Sequence, residues 1–268
     1  MKWPRRYSFK AIWILGNSNV EQPAAKYGVQ FIMSFVLPWI KLNRVKSIIG
    51  FVAAILFVQY LSLPNNSLQS LRKNNPGKTA MMLQRVDESE STGKKFLIQQ
   101  NWIPLSRISK HLIDAVIVSE DGMFFEHDGV DWYEIGESFE KNFERGKAAR
   151  GGSTISQQLS KNLYLSTSKD PVRKLKELII TLRMERILSK RRILEIYLNV
   201  IEWGDGVFGA EAAAKRYFGK SASQLSREEA AQMASVIPSP RKHQPNVMST
   251  YVARRSSIIL SRMSARGM

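Results

Sequence analysis

Between residues 120 and 129 the chain reads EDGMFFEHDG, with four acidic side chains, one histidine and two phenylalanines in ten positions. The apolar run AVIV precedes it and carries Glu120 and Asp121 to the point where loop composition begins. A carboxylate so placed projects into a cleft with apolar walls. Desolvation there raises its pKa and makes it a better proton acceptor. Phe124 and Phe125 are candidate walls. Two other readings stay open at this point. The acids could cap or solvate a helix end, or they could join His127 at a metal, although one histidine among scattered acids matches no ligand spacing we can defend.

The stretch RGGSTISQQLSKNLYL, residues 150–165, offers a different chemistry. Gly151 and Gly152 permit close backbone approach, and Ser153 is a good N-cap for a helix whose free N–H groups suit an anion. Gln157, Gln158, Lys161 and Asn162 follow on neighbouring turns, offering amide and ammonium donors. An N-capped surface helix explains the cap but not the uncharged QQ pair. Further on, Lys169, Arg173 and Lys176 precede Glu177, and at spacings of three and four Arg173, Lys176 and Glu177 share a face. Alone, that is an ordinary salt-bridged surface. In EWGDGVFGAEAAAKRYF, glycines 204, 206 and 209 make a tight loop into an Ala-rich helix around Glu211.

Taken in this order and at these spacings, EDGMFFEHDGVD, GGSTISQQLSKN, RKLKE and RRILEIYLN, followed by GDGVFGAEAAAKRYFGK, closely resemble the peptidoglycan glycosyltransferases of glycosyltransferase family 51. The resemblance covers residues 90–245 and is to the monofunctional biosynthetic form, so no transpeptidase activity is expected. It implies a lipid II polymerase in which a sugar 4-hydroxyl attacks the anomeric carbon of the donor chain. Undecaprenyl pyrophosphate leaves and the configuration inverts. Glu120 matches the catalytic base and Glu177 the second essential carboxylate. Asp121, Phe124, His127, Ser153, Thr154, Gln157, Gln158 and Asn162 would line the substrate cleft. Lys161, Lys169, Arg173 and Lys176 would hold the pyrophosphate, whose departure needs fixed positive charge more than a proton. The family often has arginine at Lys169, and lysine keeps the charge but loses the bidentate geometry.

The same resemblance implies no required cofactor, with a divalent cation, Mg or Mn, left open at Glu177. The partners it implies are lipid II, the nascent glycan chain and cell-wall synthesis or division proteins, with no nucleic acid. Two rivals keep a place. One is a lytic transglycosylase or muramidase, which predicts a protonated acid and no cationic cluster. The other is a membrane-tethered binder of anionic polymers, which the net charge of +17 would suit but which gives Glu120 no task.

These residues need elements to carry them. The chain of 268 residues is long enough for one sizeable core, and its lack of cysteine excludes disulfides and thiol chemistry. Residues 1–46 form a basic tail, and SIIGFVAAILFVQYLSL, Ser47–Leu63, is expected to be a transmembrane helix at the lower length limit. The positive-inside tendency predicts a cytoplasmic tail, and the resemblance implies a periplasmic catalytic domain in a single-pass protein of the bacterial inner membrane. Residues 64–80 read as a juxtamembrane linker, and 81–268 as the catalytic domain. The apolar stretch Phe31–Ile40 is too short to span, and the segment Lys141–Arg150 is a candidate for dipping into the interface.

The expected fold is mainly α, a lysozyme-like helical domain of two lobes preceded by a single transmembrane helix. Helices are expected at Leu105–Val118, Ser153–Leu165, Val172–Leu188, Lys190–Asn199, Val207–Phe218, Arg227–Ile237 and Ser249–Met263. The best strand candidate is FLIQQNWI.

Overall fold

The computed structural model of the protein describes residues 43–61, 63–136, 152–167 and 170–268. The chain divides into two units between Gln59 and Tyr60. The tail before residue 43, the stretch Phe31–Ile40, the segment Lys141–Arg150 and Lys169 lie outside the described residues.

Helix α1, Arg44–Leu61, supplies the described part of the first unit. Val45, Ile48, Ile49, Phe51, Val52, Ile55, Phe57 and Val58 on it are exposed. Against the expected span Ser47–Leu63, α1 starts at Arg44, includes Lys46 and ends at Leu61. Among the described residues no helix is long and apolar enough to cross a membrane. The uncharged part of α1, residues 47–61, extends about 22 Å at 1.5 Å per residue, against a hydrocarbon core of about 30 Å. Leu63, counted in the expected span, is buried in the core of the second unit.

The second unit is mainly helical. Its helices are α2 (Asn65–Ser70), α3 (Ala80–Glu90), α4 (Lys110–Glu120), α5 (Ile155–Tyr164), α6 (Pro171–Ile187), α7 (Lys190–Val200), α8 (Ala210–Phe218), α9 (Arg227–Val236) and α10 (Thr250–Ala265). Strands β1 (Gln99–Gln100), β2 (Glu202–Gly204) and β3 (Val207–Phe208) form a small sheet in the order β1-β3-β2. β1 runs parallel to β3, with Gln99 opposite Val207, and β2 runs antiparallel to it, with Glu202 opposite Phe208.

Helix starts follow the side chains that can cap them. Thr79, Ser109, Asp170, Ser189, Ser226 and Ser249 each accept a backbone N–H from the first turn of the helix they precede. The cap at Ser109 explains one departure from expectation. Leu105–Val118 is not one helix, because a single 3-10 turn, Leu105–Arg107, ends at the extended Ile108 and α4 starts afresh beyond it. Val207–Phe218 also splits, since Val207 and Phe208 pair as β3 and Gly209 turns the chain into α8 at φ +82°. A Cβ at Gly209 would lie 2.7 Å from the Asn199 carbonyl oxygen, so only glycine fits that approach.

α4 carries Leu112, Ala115, Val116, Ile117 and Val118 into the core, and α9 and α10 pack on it. α5 packs against α6, α7 and α3. The stretch read as a linker joins this core through Leu68 and Leu71, and the Arg192 guanidinium on α7 donates to the Leu71 carbonyl at 2.9 Å. Thus the C-terminal end of α4 and the start of α5 are held by a well-packed scaffold, which suits a site that must keep its geometry.

Candidate active site

The loop after α4 and the N-terminus of α5 form one hydrogen-bonded unit. Asp121 is buried, and its two carboxylate oxygens accept from the Ile155 backbone N–H and from His127 Nε2, each at 2.9 Å. The other ring nitrogen of His127 accepts the Gly129 N–H at 3.0 Å, which assigns the ring proton to Nε2. Thr154 Oγ1 donates to the Gly129 carbonyl at 2.6 Å. Gly129, at φ +90°, lies so close to α6 that a Cβ would fall 2.7 Å from Glu185 Cγ. A negative charge at the start of α5 also meets the positive end of the helix dipole. Asp121, His127 and Thr154 therefore build the floor of the site.

The cap of α5 is Thr154, one residue later than the expected Ser153, and it forms a capping box with Gln157. Ser153 instead accepts from Lys174 Nζ at 3.4 Å. Phe124, expected to wall the cleft, is fully buried in the core beneath the Lys190 ammonium. The exposed ring is that of Phe125. The reason is positional, since the turn after Asp121 folds the chain inward at Phe124 and its N–H returns to the Asp121 carbonyl.

Glu120 is the last residue of α4. Its carboxylate accepts from Gln158 Nε2 and from Ser119 Oγ, both at 3.0 Å. Burial pushes its pKa above the ordinary carboxylate range. The donors on Gln158 and Ser119 and the positive charge of Arg255 pull it back, and Asp121 adds a small upward push. Gln158 Oε1 in turn accepts the hydroxyl of the buried Tyr197 at 2.9 Å.

Away from Glu120 the site turns cationic. Lys161, on α5 beyond Gln158, has its pKa lowered by burial above all. The charges of Glu177 and Glu120 push it up and those of Arg173 and Lys174 push it down, so Lys161 lies within electrostatic reach of both carboxylates. Glu177 is buried on α6 and accepts from Arg173 Nη1 at 2.7 Å and from Lys174 Nζ. The expected pairing of Glu177 with Lys176 is thus replaced by Lys174. Residues three and four apart face each other on a helix, and adjacent ones do not. Lys176 lines a groove of about 260 Å³ together with Arg173, Tyr164, Ser166 and Asp170. Asn162 is buried on α5.

Both oxygens of Glu177 are engaged, one by Arg173 and the other by Lys174. Among the described residues no group of three or more His, Asp or Glu side chains could hold a metal. Sequence reasoning missed Lys174, Tyr197, Ser119 and Arg255. The first three lie inside or beside the quoted stretches and could have been found by helical spacing. Arg255, on α10, carried no local signal. The arrangement can accept a proton at one end and stabilise an anionic leaving group at the other.

A family model described as Transglycosylase matches residues 89–264. A protein named biosynthetic peptidoglycan transglycosylase from Nitrosospira multiformis is 50% identical over 191 residues, covering 71% of this chain and 83% of the relative. Its namesake from Dechloromonas aromatica is 49% identical over 191 residues, with the same coverage of 71% and 83%. The one from Laribacter hongkongensis is 42% identical over 221 residues, or 82% of this chain and 97% of the relative.

Proposed function

Because this chain belongs to the transglycosylase family of peptidoglycan glycosyltransferases, we propose that it polymerises glycan strands from lipid II and releases undecaprenyl pyrophosphate. The acceptor 4-hydroxyl gives its proton to Glu120 as its oxygen bonds to the donor's anomeric carbon. The bond from that carbon to the pyrophosphate oxygen breaks and the configuration inverts. Lys161, Arg173 and Lys174 meet the charge that develops on the diphosphate, with Lys176 and Lys169 extending the same role. Glu177 holds Arg173 and Lys174 in place for that task. The observation that carries this reading is that α5 joins the two halves of the site: Gln158 donates to Glu120 at 3.0 Å, Lys161 follows one turn later, and Ser153 at the start of the helix accepts from Lys174 at 3.4 Å.

The raised pKa of Glu120 would also suit the protonated acid of a glycan-cleaving enzyme. Pyrophosphate leaves as a stabilised anion and needs no such acid, so the cationic cluster favours synthesis. The inner membrane is the setting we propose, with α1 as the apolar attachment that holds the catalytic domain at its surface. Large apolar side chains on α1, Ile48, Phe51 and Phe57 among them, are exposed, and moving them out of water favours a membrane. Trp132 and Tyr133, exposed beyond the Glu120 loop, are ring types that favour a membrane interface.

Labelled lipid II in vesicles, incubated with the full-length chain, should yield polymer and free undecaprenyl pyrophosphate. Cleavage of preformed glycan without any polymer from lipid II would establish the degradative alternative instead.

A further inference from the structure

Gln158 has an amide with two unlike ends, and the base can use only one of them. Its NH₂ faces Glu120 Oε2 at 3.0 Å, with a second, longer contact of 3.5 Å to the Ser153 carbonyl. Its carbonyl end accepts the Tyr197 hydroxyl at 2.9 Å. Turning the amide over would set an oxygen against the Glu120 carboxylate and leave the Tyr197 O–H without its acceptor in a side chain that is 0% exposed. We infer that Tyr197 is a positioning residue for the base, acting through Gln158 to keep an N–H donor on Glu120. The inference deepens the proposed role of Glu120 as general base and rests on it.

Tyr197 is suited to the task. Its ring sits on α7 in the core, so the hydroxyl has little freedom, and α7 itself packs on α5, where Gln158 lies. Burial, with the negative charges of Glu120 and Asp121, keeps the phenol protonated well above its ordinary range. The hydroxyl is therefore a donor at every pH at which the enzyme works. The charged and titratable groups that act on Glu120 are Asp121 beside it, Lys161 on α5, Arg255 on α10 and Tyr197 on α7. Of these only Tyr197 acts through an intervening amide. Ser119 still donates to the other oxygen of Glu120, so loss of the bridge weakens the base's environment without abolishing it.

The test has two readouts on the full-length chain. The first is the pKa of Glu120, followed by carbon NMR of labelled glutamate and assigned with Glu120→Gln. The second is the pH profile of kcat/KM for lipid II polymerisation. Tyr197→Phe should raise the Glu120 pKa, and with it the acid limb of the profile, by about one pH unit, the share of a charge-assisted hydrogen bond. Gln158→Met should give a similar shift, and the double variant no more than either alone.

A Glu120 pKa that stays put in a folded Tyr197→Phe protein, or a double shift equal to the sum of the singles, overturns the bridge. Circular dichroism establishes that each variant is folded, and a purely structural role for Tyr197 would lower the melting temperature without moving the titration. If Tyr197→Phe does not fold, an unmoved pKa in Gln158→Met is enough to reject the proposal. Because the NMR titration needs no turnover, a wild-type chain that makes no polymer defeats the proposed function alone.

Discussion

Glu120 and Glu177 are both glutamates set on helices and withdrawn from bulk water, yet their surroundings are opposite. Glu120 ends α4 and is held by two neutral donors, Gln158 and Ser119. Glu177 sits within α6 and is held by two cations, Arg173 and Lys174. Neutral donors leave burial in command, so the Glu120 pKa rises and its carboxylate is a capable base. Cationic partners tie up both oxygens of Glu177, which leaves it to order positive charge. A carboxylate's role is set by its partners, and here they differ between two helices, α4 and α6.

The sharpest way to break this contrast is at Glu120. Glu120→Gln keeps shape and hydrogen-bonding capacity but removes the proton acceptor, and polymerisation should fall by about 10²- to 10⁴-fold in a protein that melts like the wild type. A variant that polymerises normally would remove Glu120 from the chemistry. Next in size is Lys161→Ala, which takes away a positive charge that feels both carboxylates. A loss of about 10²- to 10³-fold in kcat is expected, the scale for a fixed electrostatic group at a developing anion. An effect confined to KM would mean uniform binding instead.

Glu177→Ala tests the other half. Breaking a buried ion pair costs about 3–5 kcal/mol, and solvent screening of the half-exposed Lys174 reduces that to about 2 kcal/mol here. Denaturant titration should register the loss, along with a higher KM for the donor.

The smallest effect is the shape of the pH profile. Glu120 must be ionised, and its raised pKa places the acid limb above the ordinary glutamate range. Lys161 must be charged, and its lowered pKa places the alkaline limb below the ordinary lysine range. The bell should therefore be narrowed from both sides. A flat profile across both ranges would show that neither group limits turnover.

How much of this was legible in the sequence depended on whether the signal was local. The long helices were readable because 3.6-residue periodicity and capping side chains act within one turn, as at Asp170 before α6 and Ser226 before α9. Leu105–Val118 misled because the pattern runs on through Ile108, where the backbone turns extended and Ser109 caps a new start. Phe124 misled in another way. An aromatic beside two acids reads equally well as cleft wall or core, and only the packing of α7 and Lys190 over the loop makes it core. The exchange of Lys176 for Lys174 follows from helical spacing and was available in principle.

The order and spacing of its short polar stretches fixed this protein's family, its mainly helical character and the pair of glutamates at its site, because those features are written in residues close together. Which partners surround each glutamate was decided in three dimensions. Gln158, Tyr197 and Arg255 converge on Glu120 from α5, α7 and α10. Burial and hydrogen bonding depend on what packs from elsewhere in the chain, so the raised pKa of Glu120 exists only once those helices have met.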